Sequence, residues 1–320
     1  MFRNIIFFII TFFGIDKYFK NKFKNLPRII VFHSVVHMKK TNDNIYIHAD
    51  LKDFSAQIEY LINNYNIISL EEVQLSLLKQ NRPPPNAVAI VVDDGFENFY
   101  INIYQTTKKL NIPVTLAISC DRIDNKKLPW DVTLSILNTY KNNNNEDFNI
   151  ISKIFLDFNV VERKKFIERM ASELKYISAD PFKIDKELKG LSTKEIKELI
   201  KDNNVSIISH GLSHNPLNGM DEKDVTKELI QSKLKIEQLT GKNCNSFVYP
   251  QGKYDKKVVK LVEKAGYNFA YTVDHGFVKH DDNKFLLKRI NIPPSCTFEE
   301  FKVRLSGSGI IFSKFLNYFR

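Results

Sequence analysis

The chain has 320 residues, 43% of them hydrophobic, enough to bury the core of an enzyme-sized domain and too many for a small fold stapled by disulfides. Its 47 basic and 37 acidic side chains give a formal charge of +10 scattered along the chain. Without a basic stripe or interleaved aromatics, nothing indicates a nucleic-acid module, and the excess charge suits anionic lipid or anionic glycan instead. Cys120, Cys244 and Cys296 are odd in number and lack C-x-x-C spacing, so neither a disulfide framework nor a thiolate zinc site is expected.

Residues 1–27 form a distinct first segment. The apolar stretch from Ile5 to Ile15 is far shorter than the roughly 20 residues that span a bilayer. Arg3 ahead of an apolar run has the form of a signal sequence, but "DKYFKNKF" offers no small-residue cleavage site. Phe12, Ile15, Phe19, Phe23 and Leu26 recur at helical spacing opposite Lys17, Lys20, Asn21 and Lys24, which predicts an amphipathic helix lying in a membrane interface. An uncleaved signal anchor and a helix packed on the rest of the fold are the alternatives. The matching location is cytoplasmic and peripheral on the inner membrane surface, with signal-anchored export as the other reading.

After Pro27, short apolar runs alternate with amphipathic segments. Strands are predicted at "RIIVFHSV", "YNIISL", "AVAIVVDD", "PVTLAIS", "NVSIISH", "NSFVYP", "NFAYTV" and "FLLKRINI". Helices are predicted over residues 53–64, 71–80, 97–110, 193–202, 222–240 and 255–265. Strand and helix in steady alternation imply parallel strands, either a barrel or an open wound sheet, with chemistry at the carboxyl ends of the strands. Residues 121–190 break this rhythm and read as a helical insertion near the site, with "KNNNN" at 141–145 as a solvated loop. The main unit spans 28–305, and residues 306–320, with "IIFSKFLNYF", form an apolar tail.

"VVDDG" places Asp93 and Asp94 side by side where a buried strand ends. Two adjacent carboxylates there need a cation; alone they would be a helix cap and a turn aspartate before Gly95. In "SIISHGLSHNPL", His210 follows another strand and His214 lies four positions on, close enough for both imidazoles to face one ion. Two imidazoles and one carboxylate make a three-ligand set that keeps a coordination position for water, while the second aspartate is placed to act as base. In "SFVYPQGKYD" a further strand ends at Pro250 and Gly252, where backbone could wall a pocket and offer an amide to an oxyanion.

"VVDDG", "HGLSH" and "YPQG", in this order and separation, resemble the motifs of the polysaccharide deacetylases, the NodB-like enzymes of carbohydrate esterase family 4. The resemblance runs from about residue 28 to 305 and includes "VFHSV", "KAGYNFAYTV" and "KRINIPP". It implies an α/β fold, a distorted (β/α) barrel of about seven strands, and hydrolysis of N-acetyl groups on sugars with one divalent ion per chain, Zn2+ first. Asp93 matches the catalytic base, and Asp94, His210 and His214 match the metal ligands. The amide of Gln251 matches the oxyanion donor, and Tyr249 and Pro250 line the pocket.

Three departures stand out. Val91 and Val92 replace Thr and Phe before the aspartates. Val248 stands where many members carry an arginine that orients the base, a role left for Arg289. The C-terminal Leu-x-His motif that supplies the general acid is missing. In the branch of the family that opens with a Phe-His or Tyr-His strand the acid histidine comes first, which makes His33 the candidate acid and His275 the runner-up. Trp130 and Asp131 in "LPWDV" resemble an aromatic and an acid bordering the cleft.

The expected activity is deacetylation of an acetylated amino-sugar glycan, as polysaccharide, lipopolysaccharide or lipid-linked intermediate. A degenerate carbohydrate-binding barrel is the alternative, as is an O-acetyl esterase or amidase using the same site.

Overall fold

The computed structural model describes residues 2–37, 48–79, 82–126, 128–140, 145–177 and 186–311. The strands in chain order are β1 (Arg28–Phe32), β2 (Ser34–Val36), β3 (His48–Asp50), β4 (Asn66–Ile67), β5 (Ala87–Val92), β6 (Val114–Ile118), β7 (Val205–Ser209), β8 (Ser246–Val248), β9 (Phe269–His275) and β10 (Leu287–Asn291). Every pairing between them is parallel. β1 pairs with both β5 and β10, and β10, β9, β8, β7, β6 and β5 follow in order, so seven strands close into a barrel. Short β4 lies against the start of β5, on the side that β6 takes over at Val91. β2 and β3 form a separate pair.

β1, β5 and β6 are buried along their whole length, as parallel strands covered on both faces must be. Alternate residues serve two cores. Ile30, Phe32, Val88, Ile90 and Val92 face outward and pack with Phe54, Ile58 and Leu61 of the helix Leu51–Asn64. Ile29, Val31, Ala89 and Val91 face inward with Ala117, Ile208, Val248, Tyr271 and Leu287, and the small alanines suit the narrow lumen. Helix Leu70–Leu77 adds Leu70 and Val73 to this inner cluster.

The predicted helices are present with shifted ends. Helix 71–80 stops at Leu77, before Lys79 adopts a positive φ of 59°. The stretch predicted as a helix over 97–110 begins with a π-helical turn, Phe99–Tyr104, before the α-helix Gln105–Lys109. That widened turn carries buried Asn102, whose amide donates to the Val35 carbonyl at 2.7 Å. The insertion contains the helices Trp130–Tyr140, Asn145–Asp157 and Val160–Ile177, with a core of its own around Trp130, Ile136, Phe155 and Met170. Residues 141–144 of the asparagine tract and 312–320 of the apolar tail lie outside the described residues.

At the N-terminus two helices stand where one was expected. Phe2–Phe12 and Ile15–Lys22 are separated at Gly14, whose φ of 68° is easily reached only without a Cβ. Phe7 and Ile10 of the first are buried against Val303 on the helix Phe298–Ser306, an element the hydrophobic pattern did not single out. Among the described residues no helix is long and apolar enough to cross a membrane.

Candidate active site

The period of two that fills the lumen also delivers the site. Continuing the inward series past Val31, Val91, Ile208 and Leu287 gives His33, Asp93, His210 and Arg289, and all four line one cavity of about 370 Å³ at the carboxyl ends of the strands. Asp94, Asp131, His214, Tyr249, Gln251 and Asn291 complete its polar wall.

Asp94 and His214 take the left-handed backbone conformation, with φ of 80° and 61°. Residues with a Cβ adopt this conformation uncommonly, aspartate and histidine more readily than most, and here it aims both ligand candidates from tight turns. Asp94 Oδ1 lies 3.5 Å from His210 Nε2 and 3.2 Å from His214 Nε2. The other ring nitrogens are held from behind. His210 Nδ1 donates to the Val248 carbonyl at 3.0 Å, and His214 Nδ1 lies 3.0 Å from Asp131 Oδ2. Each imidazole thus turns Nε2 toward the same point, the arrangement in which acceptors behind the ring orient metal-ligating histidines. The three donor atoms lie within 4.8 Å of one another and all three residues are buried. A buried carboxylate facing two imidazoles fits a divalent ion of the zinc type in donor chemistry.

The two neighbouring carboxylates set the charge state of the His214 imidazole. Burial works against the His214 imidazolium, yet Asp131 and Asp94 outweigh it and raise His214 to about 10. A ligating histidine must give up that proton, so ion binding at this site would release it. Burial likewise raises Asp94, but His214 and His210 more than compensate and hold it well below the usual carboxylate range.

Asp93 is arranged differently. It is 2% exposed, and Arg289 Nη1 donates to its Oδ1 at 2.9 Å while Arg289 Nε donates to the Thr272 carbonyl at 2.8 Å. Burial pushes its carboxyl up, and Arg289, His210 and His33 together bring it below its ordinary value.

The loop carrying the histidines has a support that sequence reading missed. Glu228, on the helix Glu222–Thr240, accepts from the backbone amides of Leu212 at 2.9 Å and Ser213 at 3.0 Å, and from the Ser213 hydroxyl at 2.5 Å. At "YPQG", Gly252 has φ of 63°, and a Cβ there would stand 2.2 Å from Val273 Cγ2. The amides of Gly252 and Lys253 donate to the carbonyls of Tyr249 and Pro250. Among the described residues the Gln251 amide meets no backbone acceptor, and Gln251 borders the cavity.

The polysaccharide deacetylase family model matches residues 80–270, more than half of the chain. The chain belongs to the polysaccharide deacetylase family. It is similar to YxkH of Bacillus subtilis (strain 168), which carries a polysaccharide deacetylase name, at 20% identity over 274 residues covering 85% of this chain and 74% of that one. Among solved structures its fold is similar to the deacetylase PplD of Streptococcus pyogenes, with a TM-score of 0.62 and 17% identity over 88% of this chain and 98% of that one. The polysaccharide deacetylase BC0361 from Bacillus cereus gives a TM-score of 0.60 and 20% identity over 88% and 70%.

In this polysaccharide deacetylase three of the sequence readings need correction, those of Trp130, Pro250 and His275, while Asp131 holds its expected place. Trp130 does not border the cleft: it is buried, its ring stacks on Phe155 at 4.1 Å, and its indole N–H donates to the His214 carbonyl at 3.2 Å. Asp131 does reach the cavity, but its carboxylate is committed to His214 and to Arg122, whose Nη2 lies 3.4 Å away. Pro250 is buried and is not among the lining residues; its ring backs Gly211, where a Cβ would come within 3.2 Å of it. His275 is likewise outside the lining, because the pairing of β9 with β10 shifts register between Tyr271 and His275 and breaks the inward series after Val273. Conversely, Asn291, Val273, Pro293 and Pro294 line the cavity and were not singled out individually, although "KRINIPP" and "KAGYNFAYTV" contain them.

Proposed function

We propose that the protein removes N-acetyl groups from an amino-sugar unit of a glycan, with a divalent ion, Zn2+ first, held by Asp94, His210 and His214. The observation that carries this reading is the sharing of one cavity by a ligand set and an arginine-paired carboxylate, with a histidine bordering the same space. When bound, the ion would polarise the water and the acetamide carbonyl.

The remaining work falls to the chain's own side chains. Arg289 fixes Asp93 through Oδ1, which leaves Oδ2 to take a proton from the attacking water. The Gln251 amide donates to the oxyanion as the carbonyl becomes tetrahedral. His33, immediately after β1, protonates the amine as the C–N bond breaks, so that water and amide become acetate and a free amino sugar. Asp131 and the Val248 carbonyl keep the two ligand imidazoles turned inward throughout.

The +10 charge supports a substrate with phosphate or uronate groups, such as a lipopolysaccharide or a lipid-linked intermediate, over a neutral one. The test is acetate release from N-acetylglucosamine oligomers and from O-acetylated sugars, by wild type with added Zn2+ and by Asp93→Asn. Release from the N-acetyl substrates that is lost in Asp93→Asn is the expected result. Release from O-acetyl esters alone would make it an esterase, and binding of glycan without release would make it a binding barrel.

A further inference from the structure

The helix Phe2–Phe12 is apolar on two sides. Phe7 and Ile10 face inward, and Arg3, its one charged residue, reaches Glu300 Oε2 at 3.4 Å. On the outer side Ile5, Phe8, Ile9 and Phe12 follow the i, i+3, i+4, i+7 spacing of a helical stripe, and Phe13 and Tyr18 lie in the turn and helix that follow. All six are exposed, Phe12 to 71% and Phe13 to 70%. Isolated exposed apolar residues are ordinary, but a contiguous stripe of this kind marks a surface that meets a partner.

What surrounds the stripe identifies that partner. Lys17, Lys22 and Lys24 are exposed in the next turns. Lys17 and Lys20 also line a cavity of about 420 Å³ with Lys302, Asn21 and Asn64. Asp16 is the acid in its wall, itself buried. A second copy of this chain would bring these lysines against their own counterparts. An anionic bilayer neutralises them and accepts the aromatic rings at its headgroup level.

We propose that the helix pair Phe2–Phe12 and Ile15–Lys22 docks the protein on an anionic lipid surface, with the exposed phenylalanines in the headgroup–acyl boundary and the lysines against lipid phosphates. Both helices are too short to cross the bilayer and lie along it. This inference is independent of which bond the site cleaves.

The test is co-sedimentation of the full-length chain with vesicles of phosphatidylcholine alone and of an equal mixture of phosphatidylcholine and phosphatidylglycerol. Wild type should pellet with the mixed vesicles, remain largely in solution with the neutral ones, and be released by high salt. Phe8→Glu with Phe12→Glu should weaken binding at least about tenfold, through loss of the buried rings. Lys22→Glu with Lys24→Glu should abolish the preference for the anionic vesicles. All these positions are exposed, and circular dichroism checks that the variants remain folded. Wild type that stays in the supernatant with the mixed vesicles, or phenylalanine variants that pellet as wild type does, overturns the proposal. So does a wild-type dimer that the phenylalanine substitutions make monomeric without any vesicle binding, since the face would then belong to a second copy.

Discussion

Arg289 Nη1 lies 2.9 Å from Asp93 Oδ1, an ion pair between residues 196 positions apart in the sequence. β10 supplies the arginine and β5 the aspartate, and β1 runs between them, so the guanidinium reaches across one strand at the mouth of the barrel. The arginine that many relatives carry at the end of the strand before "YPQG" is here Val248, which instead fills the lumen. A cation at the mouth is thus supplied from a different strand.

Arg289→Met should therefore be costly in two ways. Removing one partner of a buried pair leaves the other charge uncompensated, a loss of about 3–5 kcal/mol in stability by urea unfolding. Under the proposed chemistry Asp93 also loses its anchor, and kcat should fall by on the order of a hundredfold with little change in KM. Arg289→Lys, which keeps the charge but not the fork that holds both Asp93 and Thr272, should recover more of the stability than of the rate. Stability and kcat unchanged in Arg289→Met would refute the role.

The ligand set makes a direct prediction about metal content. Elemental analysis of the purified chain after zinc reconstitution should give a bound ion that His214→Ala and Asp94→Ala lose, with Asp93→Asn retaining it. Chelation of wild type should abolish acetate release and added Zn2+ should restore it. Equal metal content in wild type and His214→Ala would sink the site.

Asp131 separates positioning from ligation. Its carboxylate lies 3.0 Å from His214 Nδ1, outside the ligand set itself. Asp131→Asn should lower zinc affinity about 10–100-fold without removing the site, the usual cost of losing a partner behind a ligating histidine. A metal titration reads this directly, and an affinity equal to wild type would assign Asp131 to the substrate side of the cavity alone.

Much of this was legible because the barrel repeats a simple rule. Strand runs such as "AVAIVV" are apolar at every position, and the polar residues that follow them, Asp93 and Asp94, then His210, fall at strand ends where parallel barrels collect their chemistry. Period two also brings His33 and Arg289 into the cavity, although both lie outside the residues matched by the family model. What escaped sequence reading depends on tertiary geometry. Glu228 lies within an ordinary amphipathic helix, and only the packing of that helix on β7 turns it toward the Leu212 and Ser213 amides. Trp130 was assigned to the cleft by its resemblance to a family position, but the insertion builds its own core and takes the ring inward. Gly14 divides what periodicity alone joined into one helix.

His275 carries the last prediction, on stability. Desolvation, aided by the nearby Arg304 charge, depresses its imidazole from 6.5 to about 3. In the folded protein it therefore stays neutral, while in the unfolded chain it takes a proton as the pH falls below about 6.5. The unfolded state binds more protons throughout that window, so stability rises with pH across it, is fully present above about 6.5 and is lost progressively toward pH 3. Between pH 7 and pH 4 this one group should account for a loss on the order of 3 kcal/mol. Urea unfolding of wild type and His275→Asn at the two pH values checks it. The variant should lose distinctly less stability on acidification than wild type does, and parallel curves would mean that His275 is free to charge in the folded state. Because His275 lies outside the cavity, the same substitution should leave acetate release at pH 7 near the wild-type rate.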